Sequence, residues 1–253
     1  YRVSRIMARL EADRSLRNPP IVGRGGRGNR DIVLDGASRV SAARRLGFPH
    51  MLVQVVPYPS ATIHLDRWNH LVVGMDLSTL GAKAARLPGV ELRPASWKAA
   101  REALETREVL ACLRSPRKRP VLLASRAPAR VQLQALRELT ELYATDPGLH
   151  RVREDQVRLP DEWMGEDHVL VLFPRYRQED IIRFSVRLAD RLPMGITRHS
   201  VRNRALRVHY PVSVLRGKGS LREKRRHLKS FLDSLWAQGR IRPYPEPTTL
   251  YDE

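Results

Sequence analysis

A β-branched and apolar run, Ile32-Val33-Leu34, leads directly into Asp35-Gly36, and then into Ala37-Ser38-Arg39-Val40-Ser41-Ala42-Ala43-Arg44-Arg45-Leu46-Gly47. The run has the composition of a short buried strand, Asp-Gly makes a tight turn, and the spacing predicts a helix from Ala37 to Gly47, with Gly47 as its C′ residue. Such a strand-turn-helix junction aims the first-turn N–H groups, which have no acceptor within the helix, past the end of the strand. The helix dipole adds partial positive charge there, so an anion fits. Gly36 admits close approach to the backbone, Ser38 adds a hydroxyl and Arg39 can hold phosphate oxygens in a bidentate contact. Asp35 can hold a metal-bridged phosphate or orient a hydroxyl. The plainer reading of the same residues is a turn followed by a solvated arginine.

At 253 residues with 42% hydrophobic content, the chain can bury one large core or two modest ones. No apolar run approaches the length of a membrane span. The sequence opens on Tyr1 rather than Met, with no apolar stretch behind it. That is the pattern of a chain without its natural start rather than of a secreted precursor. A lone cysteine, Cys112, excludes an intrachain disulfide and a Cys-rich zinc site and fits a cytoplasmic location; within Val109–Leu113 it reads as a small core residue. The net charge of +19 attracts polyanions, yet only six of the 46 basic residues are lysine, and an Arg- and Ala-rich composition also follows from GC-rich coding.

Along the chain, Val3, Ile6, Met7 and Leu10 stand at helical spacing, and Pro19-Pro20 then forces an extended entry to a strand at Ile21. Gly23 to Arg30 reads as a hairpin loop. Strands are expected at 51–58 and 61–73, the second containing Trp68, whose bland reading is core packing. From Asp76 onward helices (76–86, 97–107, 130–143, 177–191) alternate with strands (90–93, 109–113, 120–124, 167–173), which implies mixed α/β packing. Residues 193–200 read as a loop, with Thr197, Arg198 and His199 side by side. Residues 220–239 form a basic amphipathic helix with Leu221, Leu228, Phe231, Leu232 and Leu235 on one stripe and Lys224, Arg225, Arg226 and Lys229 available to DNA. The ending, 243–253, reads as a Pro-rich tail.

Three separated pieces share a resemblance. Asp35-Gly-Ala-Ser-Arg39 with Ala42-Ala-Arg-Arg-Leu-Gly47 resembles the Asp-Gly-x-His-Arg motif of the ParB/sulfiredoxin-like fold, and within it the free L-serine kinases. Arg67-Trp68-Asn69 and Thr197-Arg198-His199 resemble two further motifs of those kinases, and Leu16-Arg-Asn-Pro-Pro20 their entry to the first strand. The match spans about residues 1–215. The motif's third and fourth positions are Ala37 and Ser38, so an imidazole contact to phosphate or substrate is lost.

The resemblance implies an α/β (α+β) fold. A ParB/sulfiredoxin-like nucleotide-binding lobe would occupy 1–75, a second mixed α/β lobe closing the substrate cleft 76–215, and a basic helix and tail 216–253. It implies that Asn18, Pro19, Gly36, Ala37, Ser38 and Arg39 bind ADP or ATP, CTP remaining open. Asp35 would stand at the reacting phosphate near Mg²⁺, and Arg198 would neutralise a carboxylate or the transferring phosphoryl group. Trp68, Thr197 and His199 would line an amino-acid pocket. A catalytic glutamate is implied ahead of the first helix, upstream of Tyr1; Glu11 lies inside that helix. The expected function is a nucleotide-dependent kinase of free L-serine or a similar small hydroxyl compound, forming O-phosphoserine in the first case. The alternative is a ParB-like regulator that binds nucleotide and DNA. No helix-turn-helix pattern follows the first lobe, and no cysteine occupies the motif, which excludes a sulfiredoxin.

Overall fold

The structure, a computed structural model, describes residues 2–25, 31–116, 118–145, 148–153, 167–188, 190–193 and 195–243. Most of the Gly23–Arg30 loop and nearly all of the Pro-rich tail fall outside these residues. In chain order the first elements are α1 (Arg2–Asp13), β1 (Ser15–Leu16), β2 (Ile21–Arg24), β3 (Ile32–Asp35), α2 (Ala37–Arg45), β4 (Gln54–Pro57), β5 (Ile63–Arg67) and β6 (Asn69–Val73). There follow α3 (Leu77–Ala84), β7 (Glu91–Pro94), α4 (Trp97–Thr106), β8 (Val109–Arg114), β9 (Val121–Ala124), α5 (Ala129–Glu141) and β10 (Leu149–Val152). The last are β11 (His168–Leu172), α6 (Gln178–Ile182), β12 (Thr197–Val201), β13 (Tyr210–Pro211), α7 (Val212–Arg216) and α8 (Leu221–Ala237). This is a mixed α/β chain, as the alternating pattern implies. No helix of the described residues is long and apolar enough to cross a membrane.

The chain packs as two units, one from residues 2–25, Asp31–Ile63 and 201–243, the other from His64–Ser200. The first holds a three-stranded sheet in the order β3-β2-β4, with β2 antiparallel to β3 and parallel to β4. A separate two-residue ladder joins β1 to β13. Its core gathers Leu10 of α1, Leu16, Ala42 of α2, Tyr210, Val212 and Leu215, with Val3, Ile6 and Met7 packed alongside, so the spacing read from the sequence is the buried face of α1.

Helix α8 joins this core through Leu228 and Phe231, and the Tyr210 hydroxyl lies 3.1 Å from His227 Nδ1. Leu221 and Leu232, expected on its apolar stripe, are exposed. Lys224, expected on the basic face, is buried and its ammonium donates to the Leu215 carbonyl at 2.8 Å. The division expected at 75 and 215 and the packing division after 63 and 200 differ for two reasons. β6 is an inner strand of the second unit's sheet, and α8 buries apolar residues in the first unit's core.

The second unit is built on a six-stranded antiparallel sheet in the order β10-β6-β11-β8-β9-β7. Side chains alternate between its faces with the two-residue period of strands. Val169 and Val171 of β11 enter one core with Leu77 and Leu80 of α3 and Leu136 and Leu139 of α5; Leu170 and Leu172 enter the other with Ala100, Ala103 and Leu104 of α4. Each such valine or leucine contributes about 1.5–3 kcal/mol by leaving water. Asp76 caps α3 by accepting from Ser78 N at 2.8 Å and Thr79 N at 3.0 Å, and Ser96 caps α4 through Ala99 N at 3.2 Å. Cys112 is buried in the second core, and burial pushes its thiol up to about 12, so it is a packing residue.

Two segments differ from expectation. Residues 61–73 are two strands rather than one: β5 pairs with β12 and β6 with β10 and β11, and the chain changes sheets at Trp68. Thr197–Val201, expected in a loop because its residues are polar, is a strand because β5 supplies its ladder.

Candidate functional site

In the first unit, Gly36 caps α2 with φ of 81°, a left-handed conformation that glycine adopts at no steric cost. A Cβ there would stand 2.8 Å from Arg39 Nη2, so glycine also lets the arginine fold back over the turn. The Gly36 carbonyl accepts from the amides of Arg39 at 2.9 Å and Val40 at 3.0 Å, closing the first turn. Folded back, the Arg39 guanidinium donates to Asp35 Oδ2 at 3.0 Å, to the Asn18 carbonyl and, at 3.5 Å, to the Pro19 carbonyl. Asn18, Pro19, Asp35, Gly36 and Arg39 thus form one connected cluster, and Ala37 and Ser38 stand half-buried on the adjoining first turn.

A second guanidinium completes the cluster. Arg204 donates to the same Asp35 Oδ2, 169 residues away in sequence, while the Arg207 amide donates to Asn18 Oδ1 at 2.9 Å. Gln54 clamps the backbone on either side of Arg204, accepting from the Ala205 amide at 2.9 Å and donating to the Asn203 carbonyl at 3.0 Å. Sequence reasoning missed Arg204. Its signal is tertiary, and nothing local distinguishes it from the chain's other arginines.

These residues suit a phosphate group: two guanidiniums share one carboxylate, leaving net positive charge beside a helix N-terminus. For a metal they offer one carboxylate, already engaged by two arginines, and no group of three or more His, Cys, Asp or Glu side chains occurs among the described residues. Asp35 therefore fits an ion carried chiefly by its phosphate ligand rather than an all-protein metal cage.

In the second unit, Trp68 lies half-buried between β5 and β6, its backbone amide donating to the Ile196 carbonyl at 3.0 Å. The Arg198 guanidinium lies over its ring, 5.0 Å from the centroid, a cation–π arrangement. Thr197 and His199 flank Arg198 on β12, and His199 is buried. The entry to this strand is fixed by a buried group that the sequence shows only as a polar residue in an apolar strand, His70. Its Nε2–H donates to the Gly195 carbonyl at 3.0 Å, and Nδ1 accepts from the Tyr143 hydroxyl at 3.1 Å. Burial lowers the His70 pKa to about 4 and the Arg151 guanidinium adds to the effect, outweighing the Gly195 hydrogen bond. The imidazole is therefore neutral near pH 7. Gly195 has φ of 94°, and a Cβ there would overlap the Arg151 guanidinium, so only glycine fits this corner.

With this geometry in view, the chain resembles several solved structures. SbnI with a C-terminal truncation, from Staphylococcus aureus, superposes with a TM-score of 0.71 at 17% identity, over 93% of this chain and 89% of that one. Free serine kinase in complex with AMP gives 0.68 at 14% identity, covering 85% and 86%. The chain has the free-serine-kinase fold. A conserved hypothetical protein from Pyrococcus furiosus gives 0.68 at 12%, covering 85% and 89%. No family model matches the sequence, and no curated protein matches it either. At these identities the shared property is the fold, reached through the same arrangement of elements rather than through similar sequence.

Proposed function

We propose that this protein is a nucleotide-dependent phosphotransferase acting on free L-serine or a similar small hydroxyl compound. The observation that carries this reading is the Asp35–Arg39 junction, where Arg39 and Arg204 converge on one carboxylate in front of the α2 N-terminus. Its support is the likeness to free serine kinase structures solved with AMP and, in a mutant form, with ADP. In this reading the amides of Gly36, Ala37 and Ser38 and the two guanidiniums hold the nucleotide phosphates, with Asn18 and Pro19 fixing Arg39.

In the transfer, the acceptor hydroxyl oxygen forms the new P–O bond as the bond from phosphorus to the nucleotide's bridging oxygen breaks. The hydroxyl proton passes to a carboxylate, for which Asp35 is the candidate in this chain. Phosphoryl transfer relies on positioning and on charge stabilisation more than on covalent help, and paired guanidiniums beside a helix N-terminus supply both. Mg²⁺, where bound through the nucleotide, would offset further phosphate charge. Trp68, Thr197 and His199 are assigned to the amino-acid substrate and Arg198 to its carboxylate or to the transferring phosphoryl group.

The test incubates the full chain with Mg²⁺, L-serine and either ADP or ATP, and follows O-phosphoserine and nucleotide products by mass spectrometry. Phosphoserine with one donor establishes the reaction and names the donor. Tight nucleotide binding with no phosphorylated product from serine, threonine or homoserine removes the kinase reading. A second reading, a nucleotide- and DNA-binding regulator, is favoured by the exposed Arg222, Arg225 and Arg226 on α8. It requires DNA affinity that falls steeply with salt, as counterion release dictates.

A further inference from the structure

A cavity of about 360 Å³ opens in the second unit, lined by Arg67, Arg101, Arg153 and Arg175 together with Asp66, Asn69 and Trp97. Neither Trp68 nor any residue of Thr197–His199 lines it, so it is separate from the residues assigned to the amino-acid substrate. Its size lies within the range of small-ligand pockets.

Two observations indicate what it holds. Charge is the first. Four arginines line the cavity with one carboxylate, Asp66, and Glu105 approaches Arg175 at 3.7 Å, so arginines outnumber carboxylates among these described residues. Asp66 is ionised: burial pushes its carboxyl up, but the Arg67 amide at 2.8 Å and the Arg175 guanidinium at 3.4 Å outweigh this and hold it below its usual value.

Asn69 is the second. It is fully buried, its Oδ1 accepts from the Phe173 amide at 3.2 Å, and its Nδ2 has no hydrogen-bond partner among the described residues. A buried amide donor left unmade costs about 1–3 kcal/mol, and this one belongs to a residue of the cavity lining. Arg67, also buried, is oriented by donating to the Phe173 carbonyl at 2.8 Å, so the two side chains bracket the backbone of one residue, Phe173, on consecutive peptide groups.

We propose that this cavity binds a small phosphate monoester. A monoester concentrates about −1.5 to −2 charges and three acceptor oxygens on one group at pH 7, which suits a cavity lined by four arginines. A dicarboxylate spreads the same charge over two separated groups. The indole of Trp97, with the Arg114 guanidinium 4.4 Å from its centroid, forms an amphipathic wall for the organic part of the ligand. The proposal does not depend on the kinase reading.

Calorimetry with glycerol 3-phosphate, inorganic phosphate and succinate tests it, alongside tryptophan fluorescence. Glycerol 3-phosphate is expected to saturate one site at millimolar concentration or below. Arg101→Glu, an exposed change on α4 whose folding circular dichroism verifies, should raise the Kd by about tenfold or more, while Arg39→Ala leaves it in place. Trp97→Phe should retain calorimetric binding and lose the fluorescence response. Binding lost in Arg39→Ala and kept in Arg101→Glu would put the phosphate at the α2 junction and overturn the proposal. Tighter binding of succinate than of glycerol 3-phosphate, an unchanged fluorescence response in Trp97→Phe, or no saturation with either phosphate would overturn it as well.

Discussion

The α2 junction and the β12 entry each hold a backbone turn in place, and they do it by opposite means. At the junction, Asp35 is fixed by ion pairs to Arg39 and Arg204 with its side chain 36% exposed, so charge is balanced by charge in partial contact with water. At the β12 entry, His70 is 2% exposed and neutral, and fixes the turn through one donated and one accepted hydrogen bond. Half-solvated ion pairs are weak structural devices but retain charge for a ligand. Buried neutral hydrogen bonds are stronger devices and offer a ligand little charge. The difference agrees with the proposed reading, in which the junction carries the chemistry and His70 holds a turn in place.

Asp35→Asn should produce the largest effect that separates the two. Transfer to the hydroxyl substrate should fall about a thousandfold, the size of losing a base or a charge-positioning carboxylate. The unfolding free energy from denaturant titration should change by less than about 1 kcal/mol, since the pairs removed are half-exposed. Turnover retained in this variant would take Asp35 out of the mechanism and reduce the junction to an ordinary capped turn.

Lowering the pH should act on the other side of the comparison. The His70 pKa is about 4 in the folded protein against 6.5 unfolded, so between these values the unfolded chain binds more protons. Stability is thus unaffected by His70 above about pH 6.5 and falls as the pH drops towards 4, by on the order of 3 kcal/mol. The groups around the imidazole are the Tyr143 hydroxyl, the Gly195 carbonyl, the Phe173 ring at 5.1 Å and the Arg151 guanidinium. His70→Gln should lower stability at pH 7 and flatten its decline between pH 6.5 and 4. An equally steep decline in that variant would assign the acid sensitivity elsewhere.

The two sites also differed in how far the sequence revealed them. The junction was legible because its parts are local: an apolar strand, Asp-Gly and a helix start within eight residues, and the periodicity of α1 named its buried face correctly. Arg204 was not, because the contact that gives it a role closes a loop of 169 residues. The β1–β13 ladder is two residues long and joins the ends of the first unit, too short to leave a period in the sequence. β12 reads as a loop in the sequence because polar Thr197, Arg198 and His199 hide a strand whose pairing partner, β5, lies far back in the chain. Lys224 was misplaced for a similar reason, since only tertiary packing supplies the Leu215 carbonyl that satisfies it.

The smallest expected effect is the most direct test of the contrast. In a double-mutant cycle of Asp35→Asn and Arg204→Gln, the coupling in stability should be about 0.5 kcal/mol at low salt. It should vanish near 1 M NaCl, where the Debye length of about 3 Å screens a half-exposed pair. A cycle of His70→Gln and Tyr143→Phe should give about 1 kcal/mol, unchanged by salt, because neither partner is charged near pH 7 and the hydrogen bond between them is buried. If the Asp35–Arg204 coupling persisted in high salt, the junction would be as shielded from water as His70. Its arginines would then be structural pairs, and the charge assigned to the nucleotide phosphates would already be spent on the fold.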